Sequence, residues 1–462
     1  MTPPGRGGEE RHRATPWAEA RALAARAGRT GPVRSRRVPL TEALGRVLAE
    51  PLVALTDLPS FDTSAMDGWA VAGPGPWMVS EGGSVLAGHA RAAELPDGEA
   101  VRIATGARVP PGTTAVIRTE HARTEQTRTR PARTEQTRTE RAGTEQTRTE
   151  HAGTEQTRTE HTGTEHAGTE PSRAPAGGVR LHAEREVLPG QDIRPRGQEC
   201  RSGDELLPAG GPVTPAVLGL AAAAGYDELV TVERPRVDVL VLGDELLTAG
   251  LPRDGLIRDA LGPLLGPWLA ALGADVAVTR RIEDDADALY AAVTDSRADL
   301  VITTGGTAAG PVDHVHPVLR KAGAELLVDG VKVRPGHPML LARLAPERHL
   351  VGLPGNPLAA VSGLLTLAEP LLRGLCGRRP VAEPYRLPLR DEVHGHPHDT
   401  RLVPVVHRAG RAVPLHYNGP AMLRGIAEAD GLAVVPPGGA RADDVLEILG
   451  LPWPSPTEGC FT

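Results

Sequence analysis

Three short glycine-bearing stretches and a set of carboxylates are the residues of this chain whose types and spacing could do chemistry. They are GDEL at 243–246, TTGGTAAG at 303–310 and LPGNP at 353–357, each directly after an apolar run that reads as a strand. Glycine lets backbone approach a ligand closely and adopt positive φ, which leaves N–H groups free to cradle a phosphate or other oxyanion where a helix begins. Asp244 and Glu245 come from the first stretch, Asp284 and Asp285 follow the next strand, and Asp313 follows the third. Carboxylates facing an anion-binding loop suit a Mg²⁺-dependent phosphate site, because the metal bridges the two negative groups. Arg334 and His337, in KVRPGHP, add cationic donors, and Lys332 beside them is one of two lysines in the chain. For one loop alone, a tight turn with a solvated helix cap is the plainer reading; three loops on one sheet edge favour a site. No GxxxxGK[ST], no GxGxxG opening a helix and no nucleophile elbow occurs, so P-loop, dinucleotide and serine-hydrolase chemistries are not supported. HGHPH at 394–398 reads as a surface loop rather than a metal site.

The elements that must position these loops are visible in the hydrophobic pattern. From Val237 to about Gly377 strand and helix alternate (VDVLVLG, LGPLLGPWLAALG, ADVAVTRRI, DADALYAAVTDS, ADLVITTGG, HVHPVLRKAG, LVGLPG and the run after NPLAAV), which predicts a parallel sheet with helices on both faces. Ligands of such sheets sit beyond the carboxyl ends of the strands at a switch point. Residues 17–50 predict a helix, then a strand and a second helix; residues 51–120 predict small β structure; and Thr214 with Pro215 predicts an N-capped helix that Gly225 ends. The last 75 or so residues predict a small β-barrel or sandwich.

Composition bounds the rest. The 462 residues predict about three domains. A net charge of -7, from 51 basic and 58 acidic side chains, is a mild excess that argues neither for a nucleic-acid-binding protein nor for an acidic disordered tail, and no nucleic-acid partner is expected. Forty-nine of the 51 basic residues are Arg, aromatics make up 2%, and cores must therefore be built from Leu, Val and Ala. Three dispersed cysteines support neither a disulfide framework nor a zinc site and fit a reducing cytoplasm. No apolar run is expected to reach the ~18 residues that span a bilayer, so no membrane segment is predicted. From His121 to Glu170 a decamer of the type HAGTEQTRTE repeats without Leu, Val, Ile or aromatic residues, and the reading is a disordered insert over 121–178.

PSFDTSAMDGWAV at 59–71 resembles the PPFDNSAMDGYAV motif of the molybdopterin molybdenumtransferases, the MoeA or gephyrin E-domain family. VRIATGARVPPGTTAVIRTE, IRPRGQECRSGDELL, PRVDVLVLGDEL, TTGGTAAGPVDHV, KVRPGHPMLLARL, VGLPGNPLAAV and NGPAMLRGIAEADGLAVVP resemble further motifs in the family's order, over nearly the whole chain outside the repeat. The chain departs from the pattern at GLIRDAL, where the family has DSN or DTN, at Ala308 and Pro311 in TTGGTAAGPVDHV, at His337, and at Thr63.

The resemblance implies an α/β and β multidomain fold: a central doubly wound, MogA-like α/β domain at 235–378, a small β-rich lid domain at 51–183, a helix-containing linker domain from 1–50 plus 184–234, and a C-terminal β-barrel at 379–462. It implies insertion of molybdate into adenylylated molybdopterin with release of AMP, using Mg²⁺; the alternative is a catalytically weakened paralogue that binds molybdopterin or a partner. It implies catalytic roles for Asp67, Thr105, Glu245, Asp284 and Asp313, and metal ligation by Asp244, Glu245 and Asp313. Gly305, Gly306, Thr307, Lys332, Arg334, Gly336, Pro354, Gly355, Asn356 and Pro357 would bind the pterin substrate. The expected assembly is a homodimer with a composite active site, with molybdopterin adenylyltransferase as a further partner.

Overall fold

The computed structural model describes residues 14–88, 93–126, 178–307, 314–380 and 383–453. It divides into two compact units, Thr56–Ser202 and the remainder, Met1–Leu55 with Gly203–Thr462.

The remainder is built on a six-stranded sheet in the order Asp275–Ile282, Arg236–Leu242, Leu300–Thr304, Arg348–Leu353, Leu340–Ala345, Glu325–Asp329. The first four strands are parallel, as the alternating pattern predicts. Leu300–Thr304 is buried throughout and Arg236–Leu242 from Val237 onward, which is why both read as continuous apolar runs. The last two strands are antiparallel and were not separable in the sequence. Only Pro346 and Glu347 separate Ala345 from Arg348, too short for a crossover, so the chain must turn back on itself. Arg236–Leu242 comes first in the chain yet lies between the second and third strands, so its loop and that of Leu300–Thr304 diverge at a switch point.

Helix Leu261–Ala271 forms despite its glycines and prolines because Leu265, Trp268 and Leu269 bury one face. The Asp259 carboxylate caps it, accepting from the N–H groups of Leu261 and Gly262 at 2.9 Å each. After Pro357 a 19-residue helical run with mean hydropathy 1.3 extends to Leu375. Its length and composition would allow it to cross a membrane, contrary to the expectation that no run would. Its side chains are nearly all buried, and it is instead the central core helix. It widens to a π turn over Leu364–Ala368, where Pro370 has no N–H for the Thr366 carbonyl. The Thr366 hydroxyl accepts from Trp17 Nε1 at 3.1 Å. Helix Trp17–Ala27 meets the core helix where Gly28 and Gly374 touch backbone to backbone; a Cβ on Gly374 would sit 2.8 Å from the Gly28 carbonyl carbon. One hydrophobic core runs from Trp17 and Ala24 through the sheet and the core helix to Leu402, Leu432 and Leu449.

The C-terminal strands form a seven-stranded sheet that also recruits Thr15–Pro16 and Val331–Arg334, so it is not made from the C-terminal residues alone. Ser35–Pro39 pairs with Glu228–Val232, and helix Pro215–Ala223 starts as predicted, with the Thr214 hydroxyl accepting from Val217 N–H at 3.3 Å and Gly225 at φ +101° beyond its end.

Thr56–Ser202 carries its own six-stranded sheet, in the order Ala115–Arg118, Gly68–Val71, Glu99–Ile103, Trp77–Val85, Val179–Ala183, Ala122–Gln126. The first residues of the decamer repeat are not disordered: Ala122–Gln126 pairs antiparallel with Val179–Ala183, from Ala122↔Ala183 to Gln126↔Val179. A strand needs only a partner's hydrogen-bonding edge, which this apolar-poor segment finds in Val179–Ala183. The rest of the expected insert, from 127 to 177, lies outside the described residues. Cys200 and Cys376 are buried free thiols, and burial pushes Cys376 up to about 11.

Candidate active site

All three glycine loops leave the sheet at the edge where the parallel strands end. Leu242 leads into Gly243, Ile282 into Glu283–Asp285, Thr304 into Gly305, and Leu353 into Pro354. Gly243 stands at φ +131°, and a Cβ there would lie 2.6 Å from Glu245 Oε2, so the Glu245 carboxylate folds back over a position only glycine can fill. Gly355 packs against Gly305, with 3.6 Å from its Cβ position to the Gly305 Cα. The Gly305 N–H donates to Leu353 O at 2.8 Å, so donors for an anion on this loop begin at Gly306. Thr307 is buried, its methyl against Gly352. Ala308, Pro311 and Asp313 lie outside the described residues.

Asp244 and Glu245 are both exposed. The Asp284 N–H donates to Asp244 Oδ1 at 3.3 Å, which ties the second loop to the first. Asp285, one residue on, is a helix cap: its carboxylate accepts from Ala288 N–H at 2.7 Å. A residue the sequence reading passed over clamps the first loop. Arg281 donates from Nε to Gly243 O at 3.0 Å and from a terminal nitrogen to Asp244 O at 2.8 Å, with the Asp244 carboxylate 3.9 Å away. Its signal was positional: in the parallel register Arg281 lies beside Val241, two residues before Gly243.

The KVRPGHP segment belongs to two sheets, yet its turn reaches the same edge. Lys332 pairs with Pro16 and Arg334 with Arg401 in the C-terminal sheet, while Leu340, just past the turn, pairs with Gly352 in the α/β sheet. Gly336, at φ +112°, packs on the helix after Pro357, 3.0 Å from its Cβ position to Ala359 O. Arg334 Nε donates to Asp399 Oδ2 at 2.8 Å, a half-exposed guanidinium on a buried carboxylate. Arg401 donates to Asn418 Oδ1 at 3.0 Å and to His394 O at 2.7 Å. The first N–H groups of the helix behind LPGNP, on Leu358 and Ala359, both donate to Pro420 O, at 2.9 and 3.2 Å. Those donors are therefore closed to a ligand, and Gly355 and Asn356 offer the exposed part of that loop. Asp399, Arg401, Asn418 and Pro420 had carried no chemical expectation from the sequence.

Within Thr56–Ser202, Asp67 and Thr105 come together from separate segments. The Thr105 N–H donates to Asp67 Oδ1 at 2.8 Å, and Thr119 donates its N–H and hydroxyl to Asp67 O, both at 3.2 Å. Both Asp67 and Thr105 are exposed. Arg118 and Asp192 brace the neighbouring strand end through two 3.0 Å bonds; the guanidinium holds the Asp192 carboxyl below its ordinary range.

Among the described residues no three His, Cys, Asp or Glu side chains gather as a closed metal shell. Asp244 and Glu245 instead present two hard, exposed oxygen donors beside a glycine turn. Mg²⁺ keeps several waters and is commonly held by one or two carboxylates plus substrate phosphates, so an open pair of this kind fits it.

Three family models match consecutive stretches: the MoeA N-terminal region (domain I and II) over residues 15–225, the "Probable molybdopterin binding domain" over 238–374, and the MoeA C-terminal region (domain IV) over 386–447. A Mycobacterium tuberculosis protein named molybdopterin molybdenumtransferase 2 is 33% identical over 439 residues, covering 89% of this chain and 92% of that one. The chain belongs to the MoeA family. Another MoeA relative, the molybdopterin molybdenumtransferase of Staphylococcus aureus strain N315, is 26% identical over 435 residues, 89% of this chain and 90% of its own. The crystal structure of a molybdopterin biosynthesis MoeA protein from Pyrococcus horikoshii shares the fold at a TM-score of 0.69 and 22% identity, covering 95% of this chain and 99% of that one. The glycine loops at 243, 305 and 355 and the turn at Gly336 all fall in the molybdopterin-binding match.

Proposed function

We propose that this chain is a molybdopterin molybdenumtransferase that inserts molybdate into the dithiolene of adenylylated molybdopterin and releases AMP, giving molybdenum cofactor. The observation that carries the reading is the convergence of Gly243–Glu245, Gly305–Thr307 and Gly355–Asn356 at the ends of neighbouring parallel strands, on a chain of this family. Thr307, Gly306 and the Gly355–Asn356 loop bind the pterin and its pyrophosphate, with Pro354 and Pro357 fixing the loop's shape. Arg334 and Lys332 supply positive charge to the phosphate and the oxyanion. Asp244 and Glu245, with Asp313, would hold Mg²⁺, which would supply positive charge to the phosphate leaving group. Arg281 keeps the Gly243–Asp244 backbone in place so that the two carboxylates stay turned to one ligand. Asp284 extends this acidic edge. Asp67 and Thr105 complete the site from a second copy of the chain, in a homodimer whose active site is composite.

The same reading assigns a cytoplasmic protein of four parts, divided as the family motifs imply, that receives its substrate from molybdopterin adenylyltransferase. Purified protein given adenylylated molybdopterin, molybdate and Mg²⁺ should release AMP in step with molybdenum cofactor. No AMP release, in an assay where the Staphylococcus aureus relative turns over, would refute it.

A further inference from the structure

A cleft of about 660 Å³ lies between helix Trp17–Ala27, the second half of the core helix and the last strand, Val445–Gly450. It is not the loop site. The core helix starts just after Leu353 at the loop edge and returns toward the edge where the strands begin, and the cleft is lined by its later residues and by Leu272, shortly before Asp275–Ile282 starts. Five arginines line it, Arg21, Arg29, Arg373, Arg378 and Arg379, against two acidic residues, Glu369 and Glu447. A single ion pair joins the two sets, Arg373 Nε to Glu369 Oε1 at 3.0 Å. Arg21 donates to the Leu365 carbonyl and lies 5.2 Å from the Trp17 ring centre. Burial holds its pKa below the ordinary guanidinium range; Arg373 adds to that, and Glu369 and Glu447 oppose it. Arg378 Nε is buried without a hydrogen-bond partner. Arg29 and Arg379 are exposed, and their side chains have no partner among the described residues.

Cations collect near helix C-termini because the terminal carbonyls carry about half a negative charge. Helices Trp17–Ala27, Leu261–Ala271 and Glu369–Leu375 all end beside this cleft. Half a charge from each, added to the two glutamates, still leaves the five guanidiniums in excess. The rest of the lining is apolar, with Leu365, Ile448 and Leu449 as walls and the Tyr385 ring 55% exposed. Forked guanidiniums match the oxygens of a phosphate group, and the volume falls within the ~300–1,000 Å³ of small-molecule sites.

We propose that this cleft binds a ligand of the nucleoside monophosphate class, its phosphate held by the arginines and its planar ring against Tyr385 and the Leu365–Leu449 wall. The site is independent of the catalytic loops. Three of the five tryptophans report on it: Trp17 through Arg21, and Trp453, next to the lining residue Pro452, through its edge-to-face contact with Trp268 at 4.6 Å.

Tryptophan fluorescence of the full chain titrated with AMP, adenosine and inorganic phosphate tests this. AMP should change the signal saturably, adenosine should bind at least about tenfold more weakly, and phosphate should compete with AMP. Arg29→Ala with Arg379→Ala should weaken AMP at least about tenfold at unchanged Tm and unchanged AMP release from the pterin substrate, and Arg29→Lys with Arg379→Lys should keep binding. Asp244→Asn with Glu245→Gln should leave this titration intact. Equal titration by AMP and adenosine, wild-type affinity in the double alanine variant, or loss of the signal in the loop variant would each overturn the proposal.

Discussion

At the edge where the four parallel strands end, glycines pack against one another and the charged groups are mostly carboxylates, whose own loop is pinned by one arginine. Toward the edge where the strands begin, the balance reverses: five arginines share a partly apolar cleft with two glutamates, and Arg21 is held below its ordinary pKa by burial. Chain direction accounts for the difference. Strand-to-helix turns need glycine and short acidic caps, while helix ends favour cations and lie toward the other edge. On the proposed function, carboxylates at the first edge recruit a cation to meet an anionic substrate; on the proposal for the cleft, arginines at the second meet an anion directly.

The largest effect that separates the two edges should come from Glu245→Gln. Replacing a carboxylate proposed to hold the metal should lower AMP release by about 100-fold or more, while Tm and the fluorescence titration at the arginine cleft stay as in the wild type. A variant that keeps full turnover would remove the loop edge from the chemistry. Arg281→Ala comes next. It deletes two charge-assisted bonds to the Gly243 and Asp244 carbonyls without touching substrate, so activity should fall about 10–100-fold, with the apparent Mg²⁺ requirement rising. Arg281→Lys, which keeps charge and loses the fork, should recover only part of that.

How much of this was legible follows from what a local sequence can carry. Glycine loops after apolar runs could be read, because both the strand and the turn are coded within a few residues of each other. The Thr214 cap and the strand–helix alternation that implies a parallel sheet were readable for the same reason. Arg281 was hidden by composition, since one Arg among 49 gives no signal until a register places it beside Val241. The double allegiance of Val331–Arg334, the antiparallel pair at 325–345 and the Pro420 cap on the core helix depend on partners distant in the chain, and nothing local announces them. Ala122–Gln126 departs from the expected disorder because low apolar content says nothing of whether a neighbouring strand offers a free edge.

The edge where the strands begin also carries a pH response. His349, 1% exposed at the start of its strand, has no hydrogen-bond partner for either ring nitrogen, and burial, helped by Arg343, lowers its pKa to about 4. A folded-state pKa below the unfolded value of 6.5 means the folded protein resists a proton that the unfolded chain accepts. Stability is therefore unaffected well above pH 6.5 and is lost as pH falls from there toward 4, by about 3 kcal/mol in total. Denaturant unfolding between pH 4 and 8 should show that slope in the wild type, and His349→Leu should flatten it.

The smallest effect is the one that best separates a site carboxylate from a cap. Asp284 and Asp285 are neighbours at the end of the same strand, both exposed, and composition cannot tell them apart. Asp285 accepts from the Ala288 N–H, which an Asn side-chain carbonyl does equally well at an N-cap. Asp285→Asn should therefore shift stability by less than about 0.5 kcal/mol, and Asp285→Ala should cost about 1 kcal/mol, both leaving AMP release unchanged. Asp284 has no cap to serve; its N–H is tied to Asp244 and its carboxylate is left to the acidic edge. Asp284→Asn should lower turnover while leaving unfolding untouched, and if the two substitutions proved interchangeable in the AMP assay, the acidic edge would end at Glu245.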